Sequence, residues 1–228
     1  MATIVAMGTL YLVRHGQASF GAADYDQLSE LGQRQCRRLG EYFRARGQKF
    51  EAVLRGTLKR HEQSLSALVE GLGEAPDATT WPELNEYDSV AMIRAIDAGP
   101  LHAARSPEEY RHYFRLLRQG LAKWTSGDIT PAGMPRFADF SSGIRAVLDH
   151  VRQQYVGDVL LVSSGGPIAT AVAQVLGAPP ATLIELNLRI RNSALTEFAY
   201  TPKRHMLHSF NHLPHLDGAQ WAQWVTYT

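Results

Sequence analysis

Arg14, His15 and Gly16 follow one another where the apolar run of YLVRHGQASF stops, and this stretch has a clear capacity for chemistry. An unprotonated imidazole is a nucleophile, and a guanidinium beside it disfavours the imidazolium while offering its charge to an incoming phosphate. Alone, the tripeptide also describes a surface turn at a strand end. A second candidate is SSGGP, Ser163 to Pro167, between the apolar DVLLV run and a helical pattern. Free backbone N–H groups at a helix start, glycines that allow close approach and a proline in the first turn make an anion site without a charged side chain. The same glycines suit a tight strand-to-helix turn. Val162 stands two residues before Ser164 where a G-x-S-x-G nucleophile elbow needs glycine, which disfavours a serine hydrolase. Third come Arg60 in GTLKRHEQS, placed to clamp a phosphate in bidentate fashion, and Glu86 in WPELNEYD, where a mobile loop carboxyl could protonate a leaving group. Each of these two also reads, by itself, as a solvated charge.

The elements that must position these groups are strands alternating with helices. Thr9 to Val13, Ala52 to Leu54 and Asp158 to Ser163 are short apolar runs bounded by Gly or charged residues, the pattern of buried strands. Phe140, Ile144, Val147, Leu148, Val151 and Tyr155 recur at helical steps after Asp139, as do Ile168, Ala171, Val172, Val175 and Leu176 after Pro167. Arg60 falls at the start of a helix after the second strand. This order predicts an α/β fold with a mostly parallel central sheet, whose ligands sit beyond the carboxyl ends of the strands. That places Arg14, His15 and Ser164 together. Ser193 to Tyr200 and Met206 to Phe210, separated by TPKR, predict a strand pair that makes the sheet mixed. Residues 88–137 interrupt the rhythm with Gly99, Pro100, a helix from Ser106 capped by Pro107 and Glu109, and the loop TSGDITPAGMP. An insertion of this size over the strand ends is expected to act as a lid.

With 228 residues, 45% of them hydrophobic, the chain is expected to form a single domain, 1–228, carrying that insertion. Lys+Arg 23 against Asp+Glu 22 gives a net charge of +1, so neither nucleic acid nor a membrane surface is an expected partner. Cys36 is the single cysteine and has no partner for an internal disulfide, which suits a reducing compartment. The opening MATIVAMGTLYLV has no Lys or Arg ahead of it and runs into Arg14, too short for a membrane span and unlike a signal peptide, so a cytoplasmic location is expected. Nothing in the sequence bears on oligomeric state.

RHGQ after the first strand, LKRxxxS after the second, LNE before the insertion, SGG after a later strand and NHLPHL near the end occur in order. Together they resemble the histidine phosphatase superfamily, the phosphoglycerate mutase-like proteins, over nearly the whole chain, which implies a three-layer α/β/α fold with helices on both faces of the central sheet. The resemblance implies that His15 is the nucleophile that takes up a phosphoryl group, that Glu86 is the proton donor, and that Arg14, Arg60, Gln17, Ser164 and Gly165 hold the phosphate. It implies a small phosphorylated substrate, no cofactor and no metal. The expected activity is a metal-independent phosphatase working through a phosphohistidine intermediate. Two alternatives stand beside it, a phosphate-ester binding protein with weak or lost catalysis and a mutase-type phosphoryl transferase. Ser164 stands where the family usually has a second histidine, and Gly21 where members often show asparagine.

Other clusters read as structural. A strand over Met206 to Phe210 would put His205 and His208 on opposite faces, which argues against a metal set with His212 and His215. His215 fits the terminal His-Leu of the family. Arg111, Arg115 and Arg118 share a helical face that is expected to be solvated, and Trp221 with Trp224 is expected to pack on the body.

Overall fold

The protein is described by a computed structural model covering residues 7–19, 26–97, 99 and 106–227. Gly21, Pro100 and residues 101–105 of the expected lid lie outside the described residues. Thirteen elements follow in order: β1 (Gly8–Arg14), α1 (Glu30–Ala45), β2 (Ala52–Arg55), α2 (Lys59–Leu72), β3 (Ala78–Thr80), α3 (Ser89–Arg94), α4 (Pro107–Ser126), α5 (Phe137–Gln154), β4 (Val159–Ser163), α6 (Gly165–Leu176), α7 (Pro180–Asn187), β5 (Leu195–Thr201) and β6 (Arg204–His212). The strands form one sheet in the order β3-β2-β4-β1-β5-β6. β1 with β4, and β2 with β3 and β4, are parallel; β1 with β5, and β5 with β6, are antiparallel. The sheet is therefore mixed and mostly parallel, as the sequence pattern requires.

Helices cover both faces. On one, Val13, Val53, Leu160 and Val162 pack on Leu39 and Phe43 of α1 and on Leu65 and Leu68 of α2. On the other, Leu10, Leu12, Leu54 and Leu161 pack on Ile144, Val147 and Val151 of α5 and on Ile168 and Val172 of α6. β4 is buried at every position, which is why VLLV is a continuous apolar run rather than an alternating one. Beyond the strand ends, Met92 and Ile93 of α3 and Leu117, Leu121 and Trp124 of α4 close around Ile184 of α7.

Several boundaries differ from the sequence expectation. α6 starts at Gly165, so both glycines lie inside its first turn. β5 starts at Leu195, not Ser193, because Ser193 adopts φ 55° and turns the chain. β3 and α7 leave no clear sequence signal: the first is three largely exposed residues at the sheet edge, and the second is weakly amphipathic. The expected cap of α4 is present in full: the Ser106 hydroxyl accepts from Glu109 N–H, and the Glu109 carboxylate accepts from Ser106 N–H.

The turn after β1 is held against α1 by glycine-to-glycine contact. A Cβ on Gly16 would stand 2.3 Å from the Gly32 carbonyl oxygen, and one on Gly32 would stand 2.2 Å from the Gln17 carbonyl oxygen. Ser29 caps α1 by accepting from Gly32 N–H, and its own N–H donates to Gln17 O at 2.9 Å. Gly32→Ala is therefore expected to destabilise the protein by about 1–3 kcal/mol through overpacking, against a helix-propensity gain of up to about 1 kcal/mol. Urea unfolding reads the sign; a stabilised variant would show that the turn has room to move.

Candidate active site

His15 leaves the end of β1 with its backbone fixed on both sides. Its N–H donates to Ser163 O on β4 at 2.9 Å, and its carbonyl accepts from Ser193 N–H at 3.2 Å and Asn192 Nδ2 at 3.4 Å. The ring is 4% exposed, and Nδ1 lies 2.7 Å from the Gly16 carbonyl oxygen. A carbonyl only accepts, so the proton sits on Nδ1 and the lone pair on Nε2. The imidazole is held well below the usual histidine range, first by burial and then by the charges of Arg14 and Arg60, with neighbouring His61 contributing less. The Arg14 guanidinium, which the sequence alone suggests as the cause, ranks second to burial.

Arg14 Nη1 donates to the carbonyls of Ile190 and Tyr227, the latter at 2.9 Å. Arg60 is buried at the first turn of α2, where Nη1 meets Asp26 Oδ1 at 2.6 Å, and its charge acts on both His15 and Glu86. Four residues on, Ser64 accepts from Gly16 N–H at 3.0 Å, tying the Arg-His-Gly turn to the helix that carries Arg60. Gln17 has a holding role on the other side. Its side-chain oxygen accepts from Ser29 Oγ at 2.8 Å, and its N–H donates to Gln35 Oε1 at 2.9 Å.

Glu86 is fixed rather than mobile. Gly166 N–H, in the first turn of α6, lies 3.1 Å from both carboxylate oxygens, and Tyr87 N–H donates to Oε1 at 3.2 Å. A Cβ on Gly166 would stand 2.2 Å from Oε1, so only glycine admits the carboxyl so close to the backbone. Burial raises the Glu86 pKa, opposed by the Gly166 bond and by Arg60 and Arg14. Ser163 Oγ anchors the preceding loop by donating to Leu84 O at 2.7 Å. Arg14, Glu86 and Gly165 share a cleft walled by Tyr87, Tyr110, Tyr113, Phe114, Leu117 and Leu188. Ser164, the N-cap of α6, has its hydroxyl 2.7 Å from His61 Nε2.

Three contacts escape a reading of motifs. His61, next to Arg60, is fully buried, and its ring centroid lies 5.9 Å from that of His15. Its signal is there in retrospect, since it continues the buried stripe of Leu65, Leu68 and Leu72 on α2. Ser193 Oγ and His215 Nε2 stand 2.9 Å apart, so the terminal histidine braces the turn that holds the His15 carbonyl. Asn187 Nδ2 donates to Tyr87 Oη at 2.7 Å across the cleft wall.

Among the described residues no group of three or more His, Cys, Asp or Glu side chains is placed to hold a metal ion. His205 packs on Tyr200 and Phe198, away from His215. Arg111, Arg115 and Arg118 are exposed, the last paired with Glu185. Trp221 and Trp224 pack on Leu213 and Leu216, and each carries an α1 arginine over its ring, Arg38 and Arg34 respectively. No helix among the described residues is long and apolar enough to cross a membrane.

The model of the histidine phosphatase superfamily (branch 1) matches residues 10–213. A 2,3-bisphosphoglycerate-dependent phosphoglycerate mutase from Mesorhizobium japonicum is 25% identical over 193 residues, 79% of this chain and 87% of that protein. A phosphoserine phosphatase mutant from Entamoeba histolytica, solved in complex with phosphoserine, superposes with a TM-score of 0.65 at 18% identity, covering 92% of this chain and 99% of that one. A phosphoglycerate mutase from Bacillus anthracis superposes with a TM-score of 0.66 at 18% identity, over 92% and 96%. At such identities the superpositions establish the fold.

His61 and His215 are both held neutral down to about 3, mainly by burial. An unfolded chain protonates them near 6.5, so below that pH the unfolded state binds more protons and stability falls as pH falls towards 3. Each is expected to cost about 1.4 kcal/mol per pH unit between roughly 6 and 4. Urea unfolding at pH 7, 6 and 5 should show this decline, with a shallower slope in His215→Gln. An unchanged slope in that variant would mean that His215 titrates alike in both states.

Proposed function

The chain belongs to the histidine phosphatase superfamily, branch 1, and on that premise we propose that it is a metal-independent phosphatase acting on a small phosphomonoester. The reading is carried by one observation: a buried, neutral imidazole whose Nδ1 is committed to Gly16 O and whose Nε2 keeps its lone pair beside two guanidinium groups. In the first step His15 Nε2 forms a bond to phosphorus while the ester P–O bond breaks. Protonated Glu86 gives its proton to the departing oxygen. Water then attacks the phosphohistidine, Glu86 takes up a proton, and His15 and inorganic phosphate are released. Arg14, Arg60 and the Gly165 N–H at the start of α6 offset the charge on the phosphoryl oxygens, which leaves no step that requires a metal.

Hydrolysis is favoured over mutase-type transfer by the cleft lining. Apart from Arg14, the described lining residues carry no cationic side chain, and most are aromatic or aliphatic. A phosphoglycerate acceptor carries its own carboxylate and calls for further positive charge. An apolar or aromatic leaving group fits better. Residues 88–137 act in this reading as a lid whose α4 face, with Tyr110, Tyr113 and Phe114, selects that group.

Purified protein is expected to hydrolyse p-nitrophenyl phosphate with or without EDTA, faster than it hydrolyses 3-phosphoglycerate, and His15→Ala should abolish turnover. Turnover surviving in His15→Ala would overturn the nucleophile. Absence of turnover in the unaltered protein, with orthophosphate still bound, would favour the ester-binding alternative. Glu86→Gln discriminates by leaving group. It should slow an alkyl phosphate by roughly 10²–10⁴-fold, yet barely slow p-nitrophenyl phosphate, whose phenolate leaves without a proton. Because the Glu86 pKa is raised, the protonated form persists closer to neutrality. For the alkyl ester, kcat/KM is therefore expected to fall on the alkaline side, and equal slowing of both esters would remove Glu86 as the acid.

A further inference from the structure

The pairing of His61 with Ser164 is used by nothing described so far. His61 is fully buried on α2, and Gly56 has no side chain where its ring lies: a Cβ there would stand 2.2 Å from His61 Nδ1. Nδ1 has no hydrogen-bond partner, while Nε2 lies 2.7 Å from Ser164 Oγ. Two tautomers are possible. A proton on Nδ1 would leave a buried N–H donor orphaned, whereas a proton on Nε2 leaves only an unused lone pair, and orphaned donors are the rarer case in folded proteins. His61 therefore donates from Nε2 to Ser164 Oγ.

This direction fixes what the serine does next. With its oxygen already accepting, Ser164 has its O–H left to give. Its hydroxyl makes no cap bond to α6, and it is itself fully buried. It stands at the end of β4 beside the end of β1, since Arg14 pairs with Ser163 in the sheet and His15 N–H donates to Ser163 O. The Gly165 N–H, the first of α6, belongs to the next residue. We propose that His61 is a positioning residue which orients the Ser164 hydroxyl to donate a hydrogen bond to the phosphoryl group as it transfers to and from His15. No proton leaves either residue during the cycle: His61 Nε2–H donates to Ser164 Oγ, and Ser164 O–H donates to a non-bridging phosphoryl oxygen. The pair supplies at this position a polarised donor that neither side chain provides alone.

This inference rests on the phosphatase reading, and its test separates the two. His61→Ala and Ser164→Ala are each expected to lower kcat 10- to 100-fold with KM changed less than about threefold, because the bond tightens in the transition state. The double variant should be no slower than the slower single, the mark of residues acting as a unit. His61→Gln, which keeps a donor, should recover most of the rate, and a purely structural histidine would give no such rescue. Multiplying effects in the double variant, or an unchanged kcat in either single, would overturn the pair. Affinity for orthovanadate, measured by calorimetry, is the second readout. It should fall at least tenfold in both alanine variants even if the unaltered protein shows no turnover. In that case the phosphatase reading fails while the pair stands, and unchanged vanadate affinity removes the pair.

Discussion

The hydrogen bond between His15 Nδ1 and the Gly16 carbonyl is the constraint on which the site depends. It determines which ring nitrogen carries the proton and which carries the lone pair. A buried imidazole without such a partner would be free to choose either tautomer or to rotate. Everything around the turn keeps that carbonyl in place: Gly16 N–H on Ser64, Gly16 against Gly32, Gln17 on Ser29 and Gln35. Burial then keeps the ring neutral, and the nearby guanidinium groups reinforce the effect.

The same logic of fixed backbone applies to Glu86. Glu86 rests on Gly166 N–H at the start of α6, a partner that favours the carboxylate, while burial favours the protonated form. The two effects oppose each other, and burial prevails. The proposed reaction asks this group to act first as acid and then as base. In the proposed reaction the same helix start would serve both groups, Gly166 N–H holding the carboxyl and Gly165 N–H the phosphoryl group.

Much of this was legible in the sequence because the signals are local. The apolar runs ending at Arg14 and Ser163, and the helical steps from Phe140 and Ile168, suffice for a mostly parallel sheet whose neighbouring strand ends carry His15 and Ser164. The capping box at Ser106 marks the start of α4 to the residue. Pairings across the fold were not legible. Nothing in LKRHEQS announces that His61 meets Ser164, more than a hundred positions away, or that His215 braces Ser193. Glu86 reads as mobile because its partner is a backbone amide eighty residues on. The short β3 and α7 escaped because tertiary packing, more than their own pattern, maintains them.

The central claim is that His15 Nε2 forms a covalent bond to phosphorus. Its most direct test is to mix the protein with a ³²P-labelled aryl phosphate, quench within milliseconds in alkali, where a phosphoramidate survives, and map the label by peptide digestion. The account predicts a label that is stable in base, lost in acid and confined to the peptide containing Arg14-His15-Gly16. A label on another residue, or hydrolysis with no trapped label at any quench time, would contradict it.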